Sequence, residues 1–265
     1  MADVDISANR LYQPDEAART QGEHELRQAG LAALDTLTAI LGRRYNWPKP
    51  RRVTGFLGIG PNLGELEAEA RSRAAALLGA LPDPRAADAL VAAAHDGDDY
   101  VREAVALALG QRGDARAVGP LIDVLSSSHA DRRAAAAETL GVLRDPRAFE
   151  PLVRMMQTDG QPFPRWAAVR ALGQLRDPRA VKPLTDLLLA MIRLPASDWA
   201  PTARQRYSEE EPLQMVWTTC KLALEALELI RDPQALPVVE KLAQEAPAHT
   251  IANRAARCAE LLRQS

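Results

Sequence analysis

Few side chains in this 265-residue chain have the types and spacing of a catalytic site. The four histidines, His24, His95, His129 and His249, are scattered, and a single His-Glu pair occurs, His24-Glu25. Cys220 and Cys258 form no C-x-x-C pair, so neither a zinc site nor a dithiol redox couple is expected, and both read as small buried apolar residues. No G-x-S-x-G, H-E-x-x-H or G-x-x-x-x-G-K-[ST] string occurs. Gly58, Gly60 and Gly64 are wrongly spaced for a dinucleotide loop, and no strand pattern precedes them. Arginine and aspartate, in contrast, recur with regularity. One arginine set is Arg71, Arg102, Arg133 and Arg165, and another is Arg85, Arg116, Arg147 and Arg179. Asp83, Asp114, Asp145 and Asp177 each stand two residues before a member of the second set. Such ladders can hold an anionic partner, or can bond to loop carbonyls and aspartates within the chain. The fixed offset between each arginine and a helix-capping aspartate points to the second.

The elements that position these residues follow from an internal repeat. Leu-Gly recurs at Leu78-Gly79, Leu109-Gly110, Leu140-Gly141 and Leu172-Gly173, at spacings of 31, 31 and 32. A fifth copy is degraded, with Asp232-Pro233-Gln234-Ala235 for D-P-R-A and Leu227-Glu228 for L-G. A C-terminal half copy aligns Arg254 with the first arginine set. Each copy reads as two helices. Asp-Pro starts the first, because a carboxylate caps free N–H groups and proline suits the first turn. Its apolar residues, as at Val118, Leu121, Ile122 and Leu125, fall at helical spacing. A polar break follows, and a second helix runs to the glycine, a natural helix stop or close-packing point. One hairpin cannot bury its apolar face alone, so stacked copies must build the core.

Composition agrees. Apolar residues make up 47% of the chain, aromatics 4%, and formal net charge is -2. This excludes a disordered chain and disfavours a β-sandwich or barrel. Alanine, the best helix former, occurs 49 times. No window approaches the roughly 18 apolar residues of a membrane span. The polar start, Met1 to Arg10, lacks the pattern of a signal peptide, so a cytoplasmic location is expected.

The strings A-A-x-x-L-G-x-L-x-D-P-R-A-x-x-P-L resemble the short HEAT-like repeats of the phycobilisome-lyase type. Val169–Leu184 and Ala137–Leu152 carry the likeness best, and it covers about residues 63–265. It implies an all-α, right-handed α-solenoid of stacked hairpins, about five copies plus caps, whose second helices line a concave face. Residues 1–62 are then N-terminal capping helices and a basic Gly/Pro linker. Residues 63–265 form the array, with an inserted loop near 193–214. The linker holds Arg43, Arg44, Lys49, Arg51 and Arg52 with Tyr45 and Trp47 interleaved. Five charges make a small footprint for nucleic acid, and the rest of the chain is acidic. The insertion adds about 23 residues, among them Trp199, Tyr207 and Glu209–Glu211.

Comparison of copies identifies a candidate surface. In the second helix, positions −5, −4, −2 and −1 from the glycine stay small or apolar and build the stack. Positions −7, −3 and +1 vary and share one stripe. Aromatics and arginine, the types that dominate interface energetics, gather there or close by. Tyr100, Leu107, Phe163, Trp166, Arg170 and Trp217 are the candidate partner-binding residues. The competing reading packs Trp166 and Trp217 between neighbouring helices. Repeat architecture alone assigns no task. The expectation is a non-catalytic scaffold that binds a protein or peptide, with no catalytic residue, cofactor or metal and no membrane. The resemblance also implies an alternative, a bilin lyase-related or tetrapyrrole-binding protein, although no catalytic motif can be placed on these residues. Deoxyhypusine hydroxylases are HEAT-like proteins with several His-Glu pairs on repeated helices. Here Arg102-Glu103, Arg133-Ala134 and Arg165-Trp166 stand at those positions, so a di-iron site is not expected.

Overall fold

The computed structural model describes residues 4–44, 63–194, 212–246 and 249–264. Lys49, Tyr45 and Trp47 of the linker, and Trp199, Tyr207 and Glu209–Glu211 of the insertion, lie outside the described residues. Every regular element among the described residues is helical. The chain divides into two compact units, Met1–Val124 and Leu125–Ser265.

The first unit contains α1 (Val4–Leu11), α2 (Glu16–Ala29), α3 (Leu34–Leu41), α4 (Leu63–Ala80), α5 (Pro84–Ala93), α6 (Asp99–Gln111) and α7 (Val118–Val124). α2 starts where Asp15 accepts the N–H groups of Ala17 and Ala18. It is tied to α4 by ion pairs of Arg73 with Glu16 (2.6 Å) and Glu23 (3.0 Å), and of Arg19 with Glu69 (3.1 Å). α1 is an element the sequence pattern does not announce. It is short, and its buried residues are only Ser7, Ala8 and Leu11. The second unit contains α8 (Ala130–Leu143), α9 (Phe149–Thr158), α10 (Pro162–Leu175), α11 (Val181–Ile192), α12 (Pro212–Ile230), α13 (Leu236–Glu245) and α14 (His249–Arg263).

Each hairpin is built as its sequence dictates. In the first helices the capping aspartate accepts the N–H two residues on, in bonds of 2.8 to 3.0 Å from Asp83, Asp114, Asp145, Asp177 and Asp232. Four of these helices open with a short 3₁₀ turn, at Ala115–Ala117, Pro146–Ala148, Pro178–Ala180 and Pro233–Ala235. α5 is α-helical from Pro84 onward. The difference follows from a proline. Pro120, Pro151, Pro183 and Pro237 stand five or six residues after the capping aspartate, where α5 has Ala89. Proline lacks the N–H and clashes with the carbonyl four residues back, so the chain enters through the tighter turn.

The second helices stack side by side within each unit, α4 with α6, α8 with α10, α10 with α12, and α12 with α14. The small or apolar positions form the core. Val105, Ala106, Ala108 and Leu109 of α6 are buried, as are Ala168, Val169, Ala171 and Leu172 of α10, and Ala223, Leu224, Ala226 and Leu227 of α12. In α8 the −2 position is Thr139, half-buried, whose hydroxyl bonds back to the Ala135 carbonyl at 2.7 Å.

The repeated glycines serve close packing. Gly79, Gly141 and Gly173 lie inside their helices. A Cβ on Gly79 would sit 2.9 Å from Ala108 Cβ, one on Gly141 2.7 Å from Ala171 Cα, and one on Gly173 2.6 Å from Ala226 Cα. Each glycine thus meets the −2 alanine of the next second helix. In the later copies the chain turns left-handed three residues beyond this position, where Gly113, Arg144, Arg176 and Arg231 have φ of 72°, 53°, 54° and 58°. Left-handed residues end helices in this way, usually as glycine.

Candidate interaction surface

The two arginine ladders are engaged within the chain. Arg85, Arg116, Arg147 and Arg179 each fold back onto the aspartate that caps their own N–H, with guanidinium–carboxylate distances of 2.6 to 3.0 Å. These arginines hold the carboxyls of Asp83, Asp114, Asp145 and Asp177 below the ordinary aspartate value. The other ladder lies between hairpins. Arg71, almost fully buried, pairs with Asp96 in the loop before α6. Burial pushes Asp96 up, but Arg71, the Asp98 N–H and Arg43 outweigh it and the net direction is down. Arg133 donates from Nε and Nη2 to both oxygens of Asp159 (2.7 and 2.9 Å) and from Nη1 to the Ser127 carbonyl (2.9 Å). It is the main cause of the lowered Asp159 carboxyl. Arg102 bonds to the Asp96 carbonyl (2.7 Å) and pairs with Asp99. Arg165 donates from Nε to the Met156 carbonyl (3.0 Å).

The six candidate residues are divided between the units. Tyr100, in the first turn of α6, is 49% exposed, and Leu107 on the same helix is half-buried. Both belong to the first unit. Phe163, Trp166, Arg170 and Trp217 belong to the second. Phe163 opens α10 and is 46% exposed. Trp166, half-buried, donates from Nε1 to Thr219 Oγ1 of α12 at 3.0 Å. Arg170 reaches across to α8 and pairs with Glu138. Trp217 on α12 is 42% exposed and donates from Nε1 to Thr250 Oγ1 of α14 at 3.3 Å. The Lys221 ammonium sits 5.4 Å from the centre of its ring.

The two tryptophans line different hollows. Trp166, Arg165, Pro162, Val169, Leu187 and Met191 are among the walls of a cleft of about 260 Å³ at the ends of α10, α11 and α12. Trp217, Lys221, Arg254, Arg257 and Leu261 border a second, of about 390 Å³, along α12 and α14. Both tryptophans therefore bond between neighbouring helices and also face a hollow. Position −7 is less open than its variability suggests, because Glu103 and Ala134 are buried in the stack. The apolar wall of the first cleft is what sequence comparison passes over. Val169 falls there at the −4 stack position, and Leu187 and Met191 stand on α11, outside the compared helices.

Burial pushes the Cys220 and Cys258 thiols up to about 12, so neither forms a thiolate near neutrality. Among the described residues no group of three or more His, Cys, Asp or Glu converges as metal ligands would. No helix among them is long and apolar enough to cross a membrane.

Residues 61–141 and 118–191 match the family model of HEAT repeats. Comparison with curated proteins finds no match. Among solved structures, the YibA protein of Escherichia coli superposes with a TM-score of 0.55 at 15% identity, covering 97% of this chain and 81% of that one. An engineered protein superposes with a TM-score of 0.51 at 18% identity, covering 99% and 68%. The CpcE–CpcF complex of phycocyanin lyase from Nostoc sp. PCC7120 gives 0.47 at 20% identity, covering 99% and 95%. At these identities the likeness is one of fold. Repeat, hairpin geometry and family match agree, and the chain is a HEAT-like repeat protein.

Proposed function

We propose that the chain is a non-catalytic interaction or scaffold module that binds a protein or peptide along its second helices. The observation that carries this reading is the exposure of Phe163 and Trp217 on α10 and α12, at 46% and 42%. The chain has eleven aromatic residues, and large exposed aromatics are favoured anchors at interfaces. Trp166 and Arg170 extend the same helices' surface in the second unit, and Tyr100 and Leu107 form a corresponding pair in the first. Tagged wild-type chain and a Phe163→Ala/Trp217→Ala variant, recovered from the same cells, test it. A protein retained by the wild type and lost by the variant, with melting temperatures within a few degrees, is the expected result. Identical captured proteins in both would overturn the surface assignment. A purified chain mixed with bilin is expected to show no absorbance shift. A shift would favour the tetrapyrrole reading instead.

A further inference from the structure

The arginine ladder between hairpins is an internal template for what an arginine at that position holds. Arg71 and Arg133 each take an aspartate, Asp96 and Asp159, from the inter-helix loop of the next hairpin. Arg102 finds Asp99 in its own first turn. Arg165 is the member for which no carboxylate partner occurs among the described residues. The next inter-helix loop, which would supply one, is where the insertion stands. Asp159 is close enough for Arg165 to help lower its carboxyl, but both its oxygens are taken by Arg133 and one also by the Gln161 N–H. The Nε bond to Met156 fixes the guanidinium plane and leaves the two Nη groups to donate. Beside it lies the cleft walled by Trp166, Val169, Leu187, Met191 and Val216.

We infer that this cleft takes a peptide segment of a partner protein. An Asp or Glu side chain pairs with the Nη groups of Arg165, and an adjacent aliphatic or aromatic side chain seats against Trp166, Leu187 and Met191. The planar fork of arginine matches a carboxylate with two parallel bonds. At about 260 Å³ the cleft is smaller than the roughly 300–1,000 Å³ typical of whole-ligand pockets, and its size suits inserted side chains. The proposal rests on the interaction reading above and names its partner's chemistry.

Fluorescence anisotropy with the full chain and fluorescein-labelled Gly-Ser peptides tests it. The peptides carry Leu-Asp-Leu, Leu-Asn-Leu or Gly-Asp-Gly at their centre. The Leu-Asp-Leu peptide should bind about tenfold tighter than either control, the scale of a charge-assisted hydrogen bond. Arg165→Met should remove the preference for Asp over Asn and keep the preference for Leu over Gly. Arg165→Glu should shift the preference to a Leu-Lys-Leu peptide. Met191→Trp fills the cleft without touching the Arg165–Met156 bond and should weaken all Leu peptides. Melting curves of each variant report its folding. Equal affinity for the Asp and Asn peptides, or no binding of any peptide, would overturn the carboxylate site. Neither result bears on the Phe163 and Trp217 capture experiment, which tests the broader reading by itself. A chain carrying Asp198→Asn, Glu209→Gln, Glu210→Gln and Glu211→Gln should bind as the wild type does. A tenfold gain there would assign Arg165 to the chain's own acids and overturn the partner.

Discussion

Gly173 shows how a single atom sets the spacing of two helices. Helix propensity alone favours alanine there by about 1 kcal/mol. A Cβ at this site would lie 2.6 Å from Ala226 Cα and 2.8 Å from its Cβ. Overpacking of this kind costs about 1–3 kcal/mol, and the obstacle is backbone that cannot swing aside. The overlap wins, so Gly173→Ala should lower unfolding free energy, by up to about 2 kcal/mol. Apart from its chain neighbours, nothing lies within 4 Å of a Cβ on Gly119 in α7, and Glu150 and Lys182 stand at the same place before their prolines. Gly119→Ala should therefore stabilise, by up to about 1 kcal/mol. Urea titration of both variants checks the opposite signs, and a stabilised Gly173→Ala chain would refute the packing role. The sequence leaves open whether the repeated glycine ends a helix or packs it. The stop falls three residues later, on Arg144 and Arg176, and an arginine gives no sequence signal of positive φ. Arg165 was hidden for a related reason. Its type repeats faithfully, and only the missing partner sets it apart.

At the scale of elements, one proline decides how each first helix begins. The regular D-P-R-A-x-x-P string was legible as a helix start, and the 3₁₀ turn within it was not, because the string alone does not say which residue yields to the second proline. Comparison with α5 supplies the answer, since Ala89 replaces that proline and the helix is continuous. Ala89→Pro should thus be absorbed by the same 3₁₀ entry. Its cost should fall well below the ~3 kcal/mol of a proline inside a helix. Denaturant unfolding of this variant measures that cost, and a loss of the full amount would show that the turn needs more than the proline. Stacking of the second helices was read from positions −5, −4, −2 and −1, which are buried with the exception of Thr139. The variable stripe was read less well. A side chain can vary between copies and still be buried, as Glu103 and Ala134 are.

For the whole molecule, the carboxylates set the response to acid. Asp83, Asp114, Asp145 and Asp177 are lowered chiefly by their own arginines, and Asp159 chiefly by Arg133. A folded value below the unfolded one stabilises the ionised state. That stabilisation is complete above the unfolded carboxylate value, near pH 4, and is lost as pH falls through the folded values. Melting temperature should therefore hold steady from neutrality to about pH 5 and drop below about pH 4. In Arg133→Met the Asp159 carboxyl returns toward its ordinary value, so this variant should start less stable and lose less on acidification. Thermal scans across that range give the two slopes, and parallel slopes would mean that Arg133 does not control Asp159.

The pairing of Gly79, Gly141 and Gly173 with the next copy's −2 alanine also constrains how such a chain can change in length. Duplicating or deleting one of the later copies hands these glycines another small −2 residue, alanine or Thr139, while a few residues gained or lost inside a second helix would misplace one. Growth and shrinkage are thus quantised in steps of 31 or 32 residues. Smaller changes are confined to the loops between helices, which is where the 23-residue addition between copies four and five is found.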